Sequence, residues 1–335
     1  MIFAVWIPLL MPLLAVPAAR RLAQSLPPRA AAWLLTGCAA VLAGCTAAAL
    51  GLLLAAGALR LPPVAALGHL SLALLGGTGG YQAVTVPVAC AAGALLAACA
   101  GTVARRTHRH HTELRSARRA ADTHPTAGGL CVLPHSAPDA YALPGRTGSG
   151  GRVVVTAGML RALPAAEREA LFAHERAHLA GRHHLFLLTA SLAAACHPLL
   201  RVLHEPLAYA LERWADESAA SRVGDRRLTA RAIGRAALAA GPHATTPNRP
   251  GSVLAATAGP VPRRVAALLA PPPGHGHSHS HSHPPTRARA QGRRVIAAAL
   301  LACVAFSAAA AVDAAADLHD NVEFAQGARV TQVPG

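Results

Sequence analysis

Three long apolar stretches limit this chain to folds in which helices lie in a lipid bilayer. Residues 30–59, 61–104 and 295–312 contain no Asp, Glu, Lys or Arg, although His69 interrupts the second stretch. About 20 residues of α-helix cross the hydrocarbon core of a membrane. Apolar residues make up 53% of the chain and aromatic residues only 3%. The sequence therefore predicts a mainly α-helical membrane protein.

Residues 2–19 form a fourth candidate span. They lack the positively charged beginning of a signal peptide and contain three prolines, so we expect this segment to be retained. Two shorter apolar segments allow more than one position relative to the membrane. Residues 64–75 favour an external loop at the membrane surface. Residues 185–203 form either a buried core helix or a helix that dips into the bilayer, and we favour partial embedding.

Arginine clusters flank these stretches and predict their orientation. Three arginines follow the first span, six lie between residues 105 and 119, and four lie between residues 287 and 294. Positively charged flanks favour the cytoplasmic side. We therefore expect an external N-terminus, a cytoplasmic region between the third and fourth spans, and a short acidic tail outside.

The predicted organisation has five parts. These are three N-terminal transmembrane helices in 1–104, a cytoplasmic or membrane-proximal domain in 105–270, a Pro- and His-rich linker in 271–292, a C-terminal transmembrane helix in 293–314 and an external tail in 315–335. Within the domain, periodicity and β-branched residues predict four elements. They are a basic helix over 105–122, a strand over 153–156, an Arg-rich helix over 226–239 and a short helix over 263–269.

The pentapeptide His174-Glu175-Arg176-Ala177-His178 lies in a stretch of this domain whose apolar periodicity predicts a helix. Residues four apart share one helix face, so both imidazoles can bind one zinc ion while Glu175 faces the water that the ion carries. This pattern predicts a hydrolytic zinc centre, with Glu175 as the catalytic acid and base. An exposed helix with two solvated histidines is the alternative.

A catalytic zinc ion needs a third protein ligand and an open fourth position. Glu212 and Asp216 are also four residues apart, so on a second helix they would face the same direction. We expect Glu212 to be the third ligand and Asp216 to hold a ligand imidazole through its other ring nitrogen. A solvated acidic face is the alternative, but the chain contains only 15 Asp and Glu residues.

These motifs resemble the membrane-embedded zinc metallopeptidases of the beta-lactam-sensor (BlaR-like) group, which are related to CAAX-type prenyl endopeptidases and heat-shock membrane proteases. The resemblance covers residues 130–265 and includes the segments 141–145 and 152–156. It implies a small α+β zincin-like domain with one zinc ion. It also implies zinc ligation by His174, His178 and Glu212, catalysis by Glu175 and a supporting role for Asp216.

The chain departs from the pattern of related peptidases at two places. Asp139 stands where a relative commonly has Asn, and His183-His184 stand where a relative has an Asp after the metal helix. These differences affect how a substrate strand would be held. The sequence does not identify the residue that stabilises the oxyanion, and His183, His184 and His204 are candidates.

Three features suggest other partners. The net charge is +16, yet all 31 basic residues are Arg, no nucleic-acid motif is present and aromatic residues are scarce, so we expect lipid headgroups rather than nucleic acid to face the arginines. The seven cysteines show no metal-binding spacing. A tract of alternating histidines is either a flexible tether or a weak extra metal site; it comprises His275, His277, His279, His281 and His283.

The expected function is that of an integral-membrane zinc metalloendopeptidase that hydrolyses protein substrates at the cytoplasmic membrane face, in regulatory proteolysis. An extended substrate is expected to add to the edge of strand 153–156. The alternative is a catalytically inactive zinc-binding, scaffold or signalling protein of the membrane. Metal transport is disfavoured because it needs polar or ionisable groups inside several spans. In the three N-terminal spans only His69 is available.

Overall fold

The computed structural model describes residues 2–67, 80–146, 150–241, 250, 260–270 and 287–330. A four-stranded sheet stands among twelve helices of this described part. The strands are β1 (Thr126–Ala127), β2 (Leu130–Leu133), β3 (Ala140–Leu143) and β4 (Arg152–Thr156). The helices are α1 (Ile2–Leu10), α2 (Pro12–Ala23), α3 (Pro28–Ala58), α4 (Pro62–Leu67), α5 (Gly80–Asp122), α6 (Ala157–Ala162), α7 (Ala165–Ala180), α8 (His183–Cys196), α9 (His204–Val223), α10 (Arg226–Ala240), α11 (Val261–Leu269) and α12 (Arg287–Val330), with a 3₁₀ helix at Pro198–Leu203.

Three helices in the described part are long and apolar enough to cross a membrane. They are α3, the segment Thr85–Asp122 of α5 and the segment Arg294–Asp320 of α12. The mainly α-helical membrane fold with a small sheet is thus confirmed. The fourth predicted span, residues 2–19, forms α1 and α2, which meet at Met11 because Pro12 has no N–H to donate. Neither helix is of spanning length alone, so its crossing stays a prediction.

Helix α5 joins the membrane part to the sheet. The third predicted span and the basic helix 105–122 form this one helix of 43 residues. Near its end, Arg118 donates hydrogen bonds of 2.8 Å to the carbonyls of both Pro144 and Gly145. Asp122 pairs with Arg152 at 2.8 Å. The sheet is therefore held directly on the end of a candidate span.

The sheet has the strand order β1-β2-β4-β3. Strand β4 is parallel to β2 and antiparallel to β3, so both of its edges are paired. The expectation that a substrate adds to the edge of strand 153–156 is therefore wrong. Three consecutive valines favour such an internal position, since both faces and both edges of the strand are covered. Strand β3 is the last strand of the sheet on that side.

Successive side chains of β4 point to opposite faces, and each face has its own apolar core. Val153 and Val155 pack with Leu171 of α7 and with Ile233 of α10. Val154 packs on the other face with side chains of α5. The sheet therefore fixes α7, which carries the HExxH sequence, relative to the membrane helix α5.

Helix α8 packs among the membrane helices. The rings of Trp33 and Phe186 lie 4.8 Å apart, and the thiol of Cys99 donates to the carbonyl of Ala195 at 3.3 Å. Cys99 precedes the first arginine of α5 by six residues, which is about 9 Å along a helix. This packing places α8 beside candidate spans, and the partial embedding of residues 185–203 stays a prediction.

Candidate metal centre

Helices α7 and α9 pack together and bring the predicted site residues to one place. His174 and His178 lie one turn apart on α7, and Glu212 and Asp216 lie one turn apart on α9. All four side chains, and that of Glu175, are at most 5% exposed. The two solvated alternatives, an exposed histidine pair and an exposed acidic face, therefore do not describe this chain.

Three of these residues form a group that can hold a metal ion. One ligand atom from each of His174, His178 and Glu212 lies within 4.8 Å of the other two. The Nε2 atoms of the histidines are 3.1 Å apart, and they lie 3.4 and 3.5 Å from the carboxylate oxygens of Glu212. Two imidazole nitrogens and one carboxylate are a donor set that zinc prefers, with a fourth position left over.

Asp216 sets the orientation of His174. Its Oδ1 lies 3.0 Å from Nδ1 of His174. A proton on Nδ1 is shared with the carboxylate, so the lone pair of Nε2 points at Glu212 and His178. Burial alone lowers the pKa of His174, but hydrogen bonds to Asp216 and Glu212 raise it to about 9. The pKa of His178 is lowered well below its usual value by burial and by its positively charged neighbours.

Arg264 is a site residue that the sequence analysis missed. This fully buried side chain comes from α11 and contacts both carboxylates of α9. Its Nη1 lies 2.7 Å from Glu212, while its Nε and Nη2 donate to the two oxygens of Asp216 at 2.9 and 2.7 Å. The α11 helix was predicted, but one sequence offers no signal that separates Arg264 from the other 30 arginines.

The charges around this group fit a divalent cation. Three buried carboxylates, those of Glu175, Glu212 and Asp216, face one buried guanidinium. With neutral imidazoles the site therefore holds two negative charges in excess, and uncompensated buried charges cost several kcal/mol each, roughly. The raised pKa of His174 has the same origin, since a proton there offsets part of that excess. A Zn²⁺ ion would balance the site.

The three histidines considered for oxyanion stabilisation lie elsewhere. His183 is buried, with Nδ1 at 2.7 Å from Nδ1 of His178, on the side away from Glu212. His184 stacks on His110, and burial together with His110 and nearby arginines lowers its pKa to about 4. His204 is exposed at the start of α9. None of the three candidates lies on the Nε2 side of both His174 and His178 by a contact that the structure gives, so the identity of the oxyanion-stabilising residue stays undecided.

The histidine tract His275 to His283 lies outside the described residues, so the predicted extra metal binding stays a prediction. The seven cysteines are all free thiols.

Fold and site together define a helical membrane protein whose small α+β region carries a buried His-His-Glu group. Comparison with known protein families matches residues 104–295 to peptidase family M48, and this chain belongs to that family. A similar protein is a Protease HtpX homolog from Acaryochloris marina (strain MBIC 11017), 39% identical over 80 residues. That segment covers 24% of this chain and 26% of the relative. No solved structure matches the chain.

These comparisons confirm the expected kinship with membrane metallopeptidases of the heat-shock type. The family match begins within α5 and ends at the start of α12, so it contains every residue of the metal centre. The chain spans about a quarter of the length of the curated relative, and substrates are therefore a matter for proposal.

Proposed function

We propose that this chain is an integral-membrane zinc metalloendopeptidase that cleaves protein substrates at the cytoplasmic face of the membrane, in regulatory proteolysis. The observation that carries the proposal is the buried His174, His178 and Glu212 group, with Glu175 beside it on the same helix. Family membership supports the reaction class. The positive flanks of the apolar stretches support the cytoplasmic location.

His174, His178 and Glu212 would hold the zinc ion. When bound there, the ion would polarise the substrate carbonyl and lower the pKa of a water molecule to near 7. Glu175 is the general base, which takes the proton of the attacking water and then returns it to the leaving amine. Asp216 keeps the proton of His174 on Nδ1, so that Nε2 stays available to the metal.

Strand β3 is the element that we propose for aligning an extended substrate. Its four residues are at most 4% exposed, so the groups that cover its outer edge would have to move apart to admit a peptide. The strand borders the sheet on the side where α7 packs, with Ala140 in the same core as Leu171 of that helix. A peptide that pairs with an outer strand gains main-chain hydrogen bonds in a fixed register. Substrate binding along β3 would present a peptide bond to the group on α7.

The first test compares the wild type, Glu175→Gln and Glu212→Ala as full-length proteins purified in detergent. We expect about one zinc ion per wild-type chain beyond that bound by the histidine tract, and cleavage of a generic unfolded protein. Glu175→Gln should keep the zinc and lose cleavage. Glu212→Ala should lose the zinc, because two imidazoles alone hold it weakly.

The control is Glu205→Ala, which removes an exposed carboxylate from the first turn of the same helix. It should leave zinc content and cleavage unchanged. Zinc binding by the wild type without cleavage of any substrate would favour the scaffold or signalling alternative. A wild type without zinc at this centre would refute the peptidase proposal.

A further inference from the structure

Among the described residues, His183 contacts a predicted metal ligand, His178, from a helix other than α7, α9 and α11. It begins α8, it is 1% exposed, and its Nδ1 lies 2.7 Å from Nδ1 of His178. Two nitrogen atoms at that distance share one proton, with one nitrogen donating and the other accepting. The direction of this hydrogen bond decides whether His178 can bind a metal.

The metal-facing atom of His178 settles the direction. Its Nε2 points toward Nε2 of His174 and a carboxylate oxygen of Glu212, so Nε2 must be unprotonated in order to bind an ion. The proton of the neutral ring then sits on Nδ1, which makes His178 the donor and His183 the acceptor. The reverse arrangement would place a proton on the metal-facing nitrogen. With His178 as the donor, the neutral ring of His183 carries its own proton on Nε2, for which the described residues show no hydrogen-bond partner.

The surroundings of His183 hold its ring in this position. The rings of Trp214 and Phe186 pack around it with centroids at 4.6 and 6.3 Å. Its Nε2 lies against Gly181, where an added Cβ would come within 2.3 Å of that nitrogen. Arg182 adopts the left-handed conformation, with a φ of 50°, and so turns the chain back over His178. The turn and the packing present Nδ1 to His178.

We propose that His183 is a positioning residue of the metal centre, whose neutral Nδ1 accepts the Nδ1–H of His178 and directs the Nε2 lone pair of His178 to the metal. The two ligand histidines are then held by different chemistry, His174 by the carboxylate of Asp216 and His178 by an imidazole. A neutral acceptor raises the basicity of its ligand less than a carboxylate does. This inference rests on the proposed zinc site.

The test uses variants that separate hydrogen-bond acceptance from packing. His183→Phe keeps a planar ring among Trp214 and Phe186 but has no acceptor. His183→Asn and His183→Asp lose the volume of the ring. Their Oδ1 is bonded to Cγ, as Nδ1 of histidine is, so a hydrogen-bond acceptor stays in place. His184→Phe is the matched control, because its neighbouring ring stacks on His110 instead.

The measurement is the zinc dissociation constant of the full chain in detergent, from competition with a chromophoric chelator. The histidine tract is replaced by serines in every sample, so that the metal centre alone binds zinc. We expect His183→Phe to lose about 10- to 100-fold in zinc affinity, the usual effect of removing an outer hydrogen-bond partner. His183→Asn should bind close to the wild type, His183→Asp at least as tightly, and His184→Phe unchanged.

The opposite order of zinc affinities would overturn the proposal. If His183→Phe keeps its zinc affinity and His183→Asn loses it, the ring of His183 acts through packing. Equal affinity of all variants would overturn it as well. The melting temperature of each zinc-free variant shows that a weakened affinity does not reflect unfolding. A wild type that binds no zinc refutes the peptidase function itself. A wild type that binds zinc, with His183 variants of unchanged zinc affinity, refutes only the role of His183.

Discussion

Arg264 places a buried positive charge beside the carboxylates of the metal centre. It contacts both Glu212 and Asp216, and the negative charge of nearby Glu175 adds to the effect of these two carboxylates in raising its pKa. Burial opposes the charged form of Asp216, but the guanidinium holds the pKa of this carboxyl well below its usual range. The carboxylate of Asp216 therefore remains ionised and can accept the proton of His174 Nδ1.

Replacing Arg264 should destabilise the protein strongly. Arg264→Met leaves two buried carboxylates without compensation, a change that costs about 3–5 kcal/mol in the free energy of unfolding. We expect a large drop in the thermal midpoint of the zinc-free protein in detergent. A smaller drop is expected after zinc loading, because the ion offsets part of the charge.

Arg263→Met is the matched control for this prediction. Arg263 is the exposed neighbour in α11, and its guanidinium lies 4.7 Å from the centre of the Tyr209 ring. Loss of that contact costs about 0.5–1 kcal/mol. Equal effects of the two substitutions would show that Arg264 contributes no special charge compensation.

The metal-binding group was predictable from sequence at the residue scale, whereas Arg264 was not. His174, His178, Glu212 and Asp216 stand at helical spacing, and that spacing alone places each pair on one face. Arg264 approaches from a helix 48 residues beyond Asp216. No local period connects such distant positions, so a single sequence cannot join them.

At the scale of elements, hydrogen-bonded and non-bonded residue pairs alternate between strands β3 and β4. Thr156 donates from its backbone N–H to the carbonyl of Asp139 at 3.0 Å, so residues 139 and 156 form a hydrogen-bonded pair. Such pairs alternate along an antiparallel ladder, and residues 140 and 142 fall at the non-bonded positions. The N–H and C=O groups of Ala142 therefore point away from β4.

Ala142→Pro should reduce cleavage while zinc binding is kept. Proline removes an N–H that faces the outer side of β3, where an extended substrate would pair, and leaves the bonds to β4 in place. We expect a higher KM or a loss of cleavage with unchanged zinc content. Ala142→Ser keeps the N–H and serves as the control. Normal cleavage by Ala142→Pro would exclude pairing of the substrate at this position.

The sequence predicted the elements better than their connections. The valines of β4 indicated a strand, but the order of strands depends on pairing with residues 130–133 and 140–143, which carry weaker signals. The assignment of the substrate edge failed for this reason. Similarly, α5 continues through the end of its apolar part, because the basic segment that follows is itself a good helix former.

For the whole molecule, the three candidate spans were predictable because membrane thickness imposes one minimum length on every apolar helix. Their orientation depends on the arginine clusters, and the family match runs from within the span of α5 to the first residues of the span of α12. If the rule for positive flanks holds, the sheet and the metal centre lie in the cytoplasm, and the end of α12 lies outside.

Cysteine labelling tests this orientation. Gly150→Cys places a thiol beside β4, and His319→Cys places one near the far end of the last candidate span, at positions that are both exposed. In a chain whose seven natural cysteines are alanine, a membrane-impermeant maleimide added to spheroplasts should label His319→Cys alone. Lysis should make Gly150→Cys reactive. The reverse pattern would place the metal centre outside the cell.

The distance in sequence between Asp216 and Arg264 also sets the order of events during biosynthesis. While the ribosome has released α7 and α9 but not α11, the carboxylates of Glu212 and Asp216 have no guanidinium to neutralise them in a closed core. Close packing of α7 on α9 is therefore less favourable until residue 264 emerges. The charge-compensated arrangement of the metal centre is therefore completed only late in translation, after most of the residues that form it have been made.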